Sequence, residues 1–131
     1  VLVVDDNPIL LRMMRDLLSS AFMDVRIASN GVQCLDELRG SKPDVIVLDM
    51  QLPGKDGFTI ARELKSDPKT RSIPIVAVTS YAMRGDEERA LAAGCDAYVS
   101  KPIDTRTFPK LIASYSAAAS EPSDSSSRRN L

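Results

Sequence analysis

Short apolar runs alternate with amphipathic stretches along the whole chain. Val1–Val4, Val45–Leu48, Ile73–Val78 and Ala97–Val99 are nearly continuous aliphatic or β-branched runs bounded by turn residues. Such runs predict buried strands, whereas Val25-Arg26-Ile27-Ala28 alternates and predicts a shorter strand at an edge. Between the runs, apolar residues recur at helical spacing. The first set is Leu10, Met13, Met14, Leu17, Leu18 and Ala21, with Asn7 placed to cap and Pro8 at the first helical position. Val32, Leu35 and Leu38 mark a second helix after Asn30-Gly31, closed by Gly40 and followed by Pro43. Phe58, Ile60, Ala61 and Leu64 mark a third, stopped near Asp67-Pro68. Residues 84–93 predict a polar, alanine-containing helix ended by Gly94. Phe108, Leu111 and Ile112 belong to a last helix that Asp104 or Thr105 can cap, and Pro109 requires it to start late. From Ser116 the chain is alanine, serine and charge, so the folded domain is expected over 1–115 and a disordered tail over 116–131.

Five repeats of strand then helix predict a parallel sheet with helices on both faces. Right-handed crossovers leave few topologies, and the flavodoxin-like doubly wound (βα)5 order 2-1-3-4-5 suits five strands. Its switch point lies between strands 1 and 3, at the carboxyl ends, where open α/β sheets bind ligands. That order sets Asp5 and Asp6, which end the first strand run, beside Asp49, which ends the third. Thr79 ends the fourth run and Lys101 follows the fifth, on the same rim.

Composition removes several rival chemistries. The chain has 131 residues, 44% of them hydrophobic, which is enough for one ordinary domain with a real core. No run approaches the ~18 apolar residues of a membrane span. With 17 basic against 18 acidic residues, there is no electrostatic case for nucleic-acid or membrane-surface binding. Histidine is absent, which excludes histidine catalysis and histidine-ligated metals. Cys34 and Cys95 are far apart in sequence and read as reduced, semi-buried thiols of a cytosolic protein. Val1 lies already inside a strand run, so further residues are expected to precede it.

The remaining polar residues make a coherent constellation. Three carboxylates held together repel, and a hard divalent cation relieves that repulsion. With no histidine and no nearby cysteine, Mg²⁺ fits better than zinc or copper; Asp6 and Asp49 read as direct ligands and Asp5 as acting through water. Mg²⁺ invites a phosphoryl group. Lys101 supplies a compact positive charge on its far side, Thr79 a hydroxyl, and Asp49 a carboxylate nucleophile that would form an aspartyl phosphate. Each residue alone has an ordinary explanation: a turn cap, a helix-dipole acid, a strand-end hydroxyl, a surface lysine. Those explanations would all have to hold at the ends of four separate strands.

Val3-Val4-Asp5-Asp6-Asn7, Leu48-Asp49-Met50-Gln51-Leu52-Pro53-Gly54-Lys55-Asp56-Gly57, Val78-Thr79-Ser80 and Ser100-Lys101-Pro102 resemble the signature of response-regulator receiver domains, the CheY-like family. The similarity covers about residues 1 to 115, and all four motifs stand in order at the right intervals. It implies Asp49 as phosphoacceptor, with Asp5, Asp6, Asp49 and the Gln51 backbone carbonyl around Mg²⁺. It implies Thr79 and Lys101 as phosphate-sensing groups, a cis Lys101-Pro102 bond, and Tyr98 as the switch aromatic. Residues 77–102, with Ala82-Met83-Arg84-Gly85-Asp86-Glu87-Glu88-Arg89, resemble single-domain regulators of the cell-division type.

The resemblance further implies a cytoplasmic signalling protein with no enzyme activity beyond Mg²⁺-dependent self-phosphorylation and slow autodephosphorylation. Its partners would be a histidine kinase or histidine phosphotransfer protein, and an effector on the face of the fourth helix, fifth strand and fifth helix. Two alternatives are a receiver module of a hybrid histidine kinase and a phosphorylation-independent docking domain. A haloacid-dehalogenase phosphatase would want an aspartate where Gln51 stands, and Gln51 cannot transfer a proton. A dinucleotide-binding domain would follow the first strand with Gly-x-Gly-x-x-Gly, not Asp5-Asp6-Asn7-Pro8, which repels pyrophosphate.

Overall fold

The structure is a computed structural model that describes residues 1–52, 54, 56–80 and 85–120. The expected tail beyond 120, the first residue of the expected fourth helix at 84, and the motif residues Pro53, Lys55, Ala82, Met83 and Arg84 lie outside the described residues. Ten elements alternate: β1 (Leu2–Val4), α1 (Pro8–Ser20), β2 (Arg26–Ala28), α2 (Gly31–Gly40), β3 (Ile46–Asp49), α3 (Gly57–Ser66), β4 (Ile75–Thr79), α4 (Asp86–Ala92), β5 (Ala97–Ser100) and α5 (Phe108–Ser120). The strands form one parallel sheet in the order β2-β1-β3-β4-β5, which is the flavodoxin-like topology.

Every residue of β1, β3 and β4 is buried, as continuous apolar runs require in a sheet covered on both faces. The period of two sorts them into two layers. Leu2, Val4, Ile46, Leu48, Ile75 and Ala77 pack with Phe58, Ile60, Ala61 and Leu64 of α3 and Ala90 of α4. Val3, Val47, Val76 and Val78 pack on the other side with Leu11, Met14 and Leu18 of α1 and Phe108 and Ile112 of α5.

Local chemistry sets the helix ends. The Asn7 side chain accepts hydrogen bonds from the Ile9 and Leu10 N–H groups ahead of Pro8. Asn30 and Asp56 accept from Gln33 and Thr59 in the same way. Gly85, at φ +93°, precedes α4 in a left-handed conformation that a side chain would resist. Pro109 is the second residue of α5, inside the first turn. Asp104 stands at the turn leading into that helix: its carboxylate accepts from the Arg106 N–H and its carbonyl from the Phe108 N–H.

Four further expectations need correction. In α2 the buried residue is Cys34, while Val32 is 71% exposed and Leu35 is also exposed. The helix lies over the sheet's β2 edge, so only a narrow strip of it is covered. Leu11, absent from the expected face of α1, is buried there, whereas Ala21 is exposed. Finally, α5 runs to Ser120, into the stretch expected as tail from 116, because an alanine-rich stretch extends a helix at little cost. Cys34 and Cys95 are unpaired and more deeply buried than expected.

Candidate functional site

Strand register assembles the site. Val4 pairs with Leu48, so the chain emerges from β1 and β3 with Asp5 beside Asp49. Asp49 pairs with Val78, and Thr79 with Ser100, which brings Thr79 and Lys101 to the same rim. Asp5, Asp6 and Asp49 each offer a carboxylate oxygen, and these atoms lie within 4.8 Å of one another. Asp5 and Asp49 are 1% and 2% exposed, while Asp6 faces solvent.

The charges are unevenly matched. Asp5 Oδ1 accepts the Asn7 N–H at 2.8 Å. Asp5 Oδ2 is sealed from solvent; Lys101 Nζ stands 3.0 Å away as a counter-charge, but no aligned hydrogen bond reaches it among the described residues. Asp49 Oδ1 accepts the Gln51 N–H at 3.0 Å, and Oδ2 lies 3.6 Å from Lys101 Nζ. Among the described residues, one ammonium therefore serves two buried carboxylates, with a third nearby. Burial pushes the Asp49 carboxyl above its ordinary pKa, and Asp5 and Asp6 push the same way. The Gln51 N–H and Lys101 oppose them. The Lys101-Pro102 peptide is cis, and the Lys101 N–H donates to the Thr79 carbonyl at 2.7 Å.

Thr79 is fully buried, and its hydroxyl accepts from Gln51 Nε2 at 2.7 Å. Tyr98 stands apart from the carboxylates. It is half-buried against the α3/α4 layer, and desolvation, then Asp86 and Glu87, raise its phenol pKa.

Two contributors escaped the sequence reading. The resemblance implies only a backbone carbonyl from Gln51 at the metal, yet its side chain bridges Thr79 and the Ser80 N–H. The signal available was an amide residue two positions after the rim aspartate, opposite a strand ending in Thr-Ser. Gly57 is the second. A Cβ there would stand 2.4 Å from the Asp49 carbonyl oxygen and 2.6 Å from Met50 Cα, so a hydrogen at this position lets α3 close on the end of β3. The Gly57 N–H donates to the Met50 carbonyl at 3.1 Å, which fixes the turn carrying Asp49.

A doubly wound sheet with three carboxylates, a lysine and a buried threonine at its switch point sets polar groups where open α/β domains bind ligands. Residues 1–113 match the response regulator receiver domain family, and the chain belongs to it. It is 42% identical over 115 residues to the polar-differentiation response regulator DivK of Brucella anthropi, covering 88% of this chain and 94% of that protein. The resemblance to the cell-division type therefore holds. Among solved structures, it is similar to the signal receiver domain of a histidine kinase from Syntrophus aciditrophicus. That match has TM-score 0.84 and 25% identity, and covers 92% of each chain. It is also similar to the receiver domain of a sensor histidine kinase from Pseudomonas aeruginosa, solved with a magnesium ion coordinated in its active site cleft. There the TM-score is 0.80 at 29% identity, covering 88% of this chain and 95% of that one.

Proposed function

We propose that this receiver domain accepts a phosphoryl group on Asp49 in a Mg²⁺-dependent reaction and thereby changes a partner-binding face. The observation that carries the reading is the surplus of negative charge at the rim: three carboxylates within 4.8 Å, with Lys101 Nζ near two of them. The donor set is all oxygen, and Asp5 Oδ2 is buried without an aligned hydrogen bond, which suits a hard cation. Asp5, Asp6, Asp49 and the Gln51 carbonyl would hold it. When bound, the cation supplies positive charge for the phosphoryl oxygens.

The chain's own residues do the rest. An Asp49 carboxylate oxygen attacks the phosphorus of a phosphohistidine or acyl-phosphate donor. An O–P bond forms as the P–N or P–O bond to the donor breaks, and that electron pair leaves with the donor. Lys101 and the Thr79 hydroxyl then bind phosphoryl oxygens. Tyr98, against α4, relays the change to the α4–β5–α5 face, where an effector would dock. Gln51 offers no general acid or base, so hydrolysis is slow and the domain is a signal carrier rather than a phosphatase.

A histidine kinase or phosphotransfer protein is the donor partner. The 42% identity to DivK supports a regulator of that kind, while the two histidine-kinase receivers keep a hybrid-kinase module as the second reading. No helix among the described residues is long and apolar enough to cross a membrane. The buried, unpaired thiols support a cytoplasmic location. Labelling by acetyl phosphate with and without Mg²⁺ tests the proposal: wild type labels only with Mg²⁺, and Asp49→Ala does not label. Undiminished labelling of that variant would reject Asp49 as acceptor, and a Mg²⁺ titration without response would favour a docking domain.

A further inference from the structure

The Gln51 side chain has no role in the transfer just described, yet it ties together the two loops that carry it. Its carboxamide reaches from the turn after β3 to Thr79 and Ser80, 28 and 29 residues further along. The atoms fix their own orientation. A backbone N–H can only donate, so the group 3.0 Å from the Ser80 nitrogen is the carboxamide oxygen. Nε2 therefore faces Thr79 and donates to its hydroxyl oxygen at 2.7 Å. A hydroxyl accepting from Gln51 has its own hydrogen turned away from Gln51. The main chain of the same residue donates to Asp49 Oδ1 at 3.0 Å. Gln51 thus touches the acceptor carboxylate with its backbone and the end of β4 with its side chain.

We propose that Gln51 is a positioning residue for phosphoryl transfer: its carboxamide clamps Thr79 and Ser80 in the unphosphorylated arrangement, and the clamp opens when Asp49 is phosphorylated. This rests on the reading of Asp49 as acceptor. A phosphoryl group brings anionic oxygens next to Thr79, and a hydroxyl bond to an ionised acceptor is roughly twice as strong as a neutral one. Thr79 drawn toward that group stretches the 2.7 Å contact, and the planar carboxamide cannot follow it while holding Ser80. Ser80 is the first residue after β4, so its release loosens the end of that strand. The clamp then sets how rarely the switched arrangement is visited before phosphorylation.

The test follows the backbone amide resonances of the ¹⁵N-labelled chain as Mg²⁺ and then beryllium trifluoride, a phosphoryl analogue, are added. It is paired with acetyl-phosphate labelling rates of wild type and Gln51→Met, which keeps length and loses both bonds. The Ser80 amide is expected to leave its bonded position on addition of the analogue. Gln51→Met should label about tenfold faster, the effect of losing one to two net hydrogen bonds from the resting state. Gln51→Ala serves if the methionine variant does not fold, and the wild-type spectrum needs no variant. An unmoved Ser80 amide, or a variant labelling no faster than wild type, overturns the clamp while leaving Asp49 as acceptor. Absence of any response at the Asp5, Asp6 and Asp49 amides overturns the acceptor reading, and the clamp with it.

Discussion

Two lysine–aspartate pairs sit at opposite ends of β4 and β5, and they are built to opposite rules. At the amino ends, Lys65 Nζ reaches Asp96 Oδ2 at 3.1 Å and the carbonyls of Arg71 and Ile73 at 3.2 and 2.8 Å. Asp96 Oδ2 also accepts the Ile75 N–H at 2.8 Å. One cation has one carboxylate there, and neutral dipoles fill the remaining directions. At the carboxyl ends, Lys101 is shared by Asp5 and Asp49, with Asp6 nearby and a buried oxygen left without an aligned donor. The first pair ties α3 to the start of the sheet. At the second, among the described residues, one ammonium faces three carboxylates. An ion pair alone does not distinguish structure from function; the surplus around it does.

Adding Mg²⁺ separates the two ends most strongly. At a hundredfold excess over its dissociation constant, it should raise the unfolding free energy of wild type by about 2.7 kcal/mol. Asp49→Asn should lose most of that gain in urea titrations, and an equal gain in the variant would break the comparison. Asp96→Ala should cost about 2 kcal/mol, through an orphaned Ile75 N–H and an unpaired Lys65, discounted because Asp96 is partly exposed. Its Mg²⁺-dependent labelling should match wild type, and a large labelling defect would mean that the two ends are coupled.

Without Mg²⁺, Asp49→Asn should be more stable than wild type at neutral pH. The folded Asp49 pKa is raised, so this group's favourable contribution is present at low pH and lost as pH rises through the folded value. The advantage of the variant should therefore shrink on acidification and vanish below the ordinary carboxyl pKa, which denaturation at several pH values would reveal. The smallest effect concerns the thiols. Burial pushes Cys34 and Cys95 up to about 11 from 9.0; Asp96 adds to the rise at Cys95 and Lys65 opposes it. Stability should hold up to pH 9 and decline between 9 and 11, by under about 1 kcal/mol for each thiol at pH 9.5. Ready alkylation of the folded protein at pH 8 would contradict the burial.

The strand runs and rim residues were legible because each depends on short-range patterning plus a topology with few alternatives. Val45–Leu48 could be little but a buried strand, and once the order was 2-1-3-4-5 the aspartates had to meet. Helix faces at the sheet edge were less legible. Periodicity finds α2 but does not say how much of it the sheet covers, so Cys34 took the place given to Val32 and Leu35. Gln51 was half legible, since its backbone position follows from the turn but its side-chain partners lie on another strand. Gly57 needed coordinates, because only a built Cβ exposes its conflict with the Asp49 carbonyl.

The two-layered sheet has a consequence for how information is routed. Thr79 shares the parity of Ile75 and Ala77, whose layer holds α3 and α4, and Tyr98 packs into that layer from β5. Val76, Val78 and Val99 belong to the opposite layer with α1 and α5. On the proposed reading, a displacement at Thr79 would reach Tyr98 and α4 on its own side of the sheet before it reached the valine layer behind. Sequence drift among the buried valines would then retune stability sooner than it altered the message.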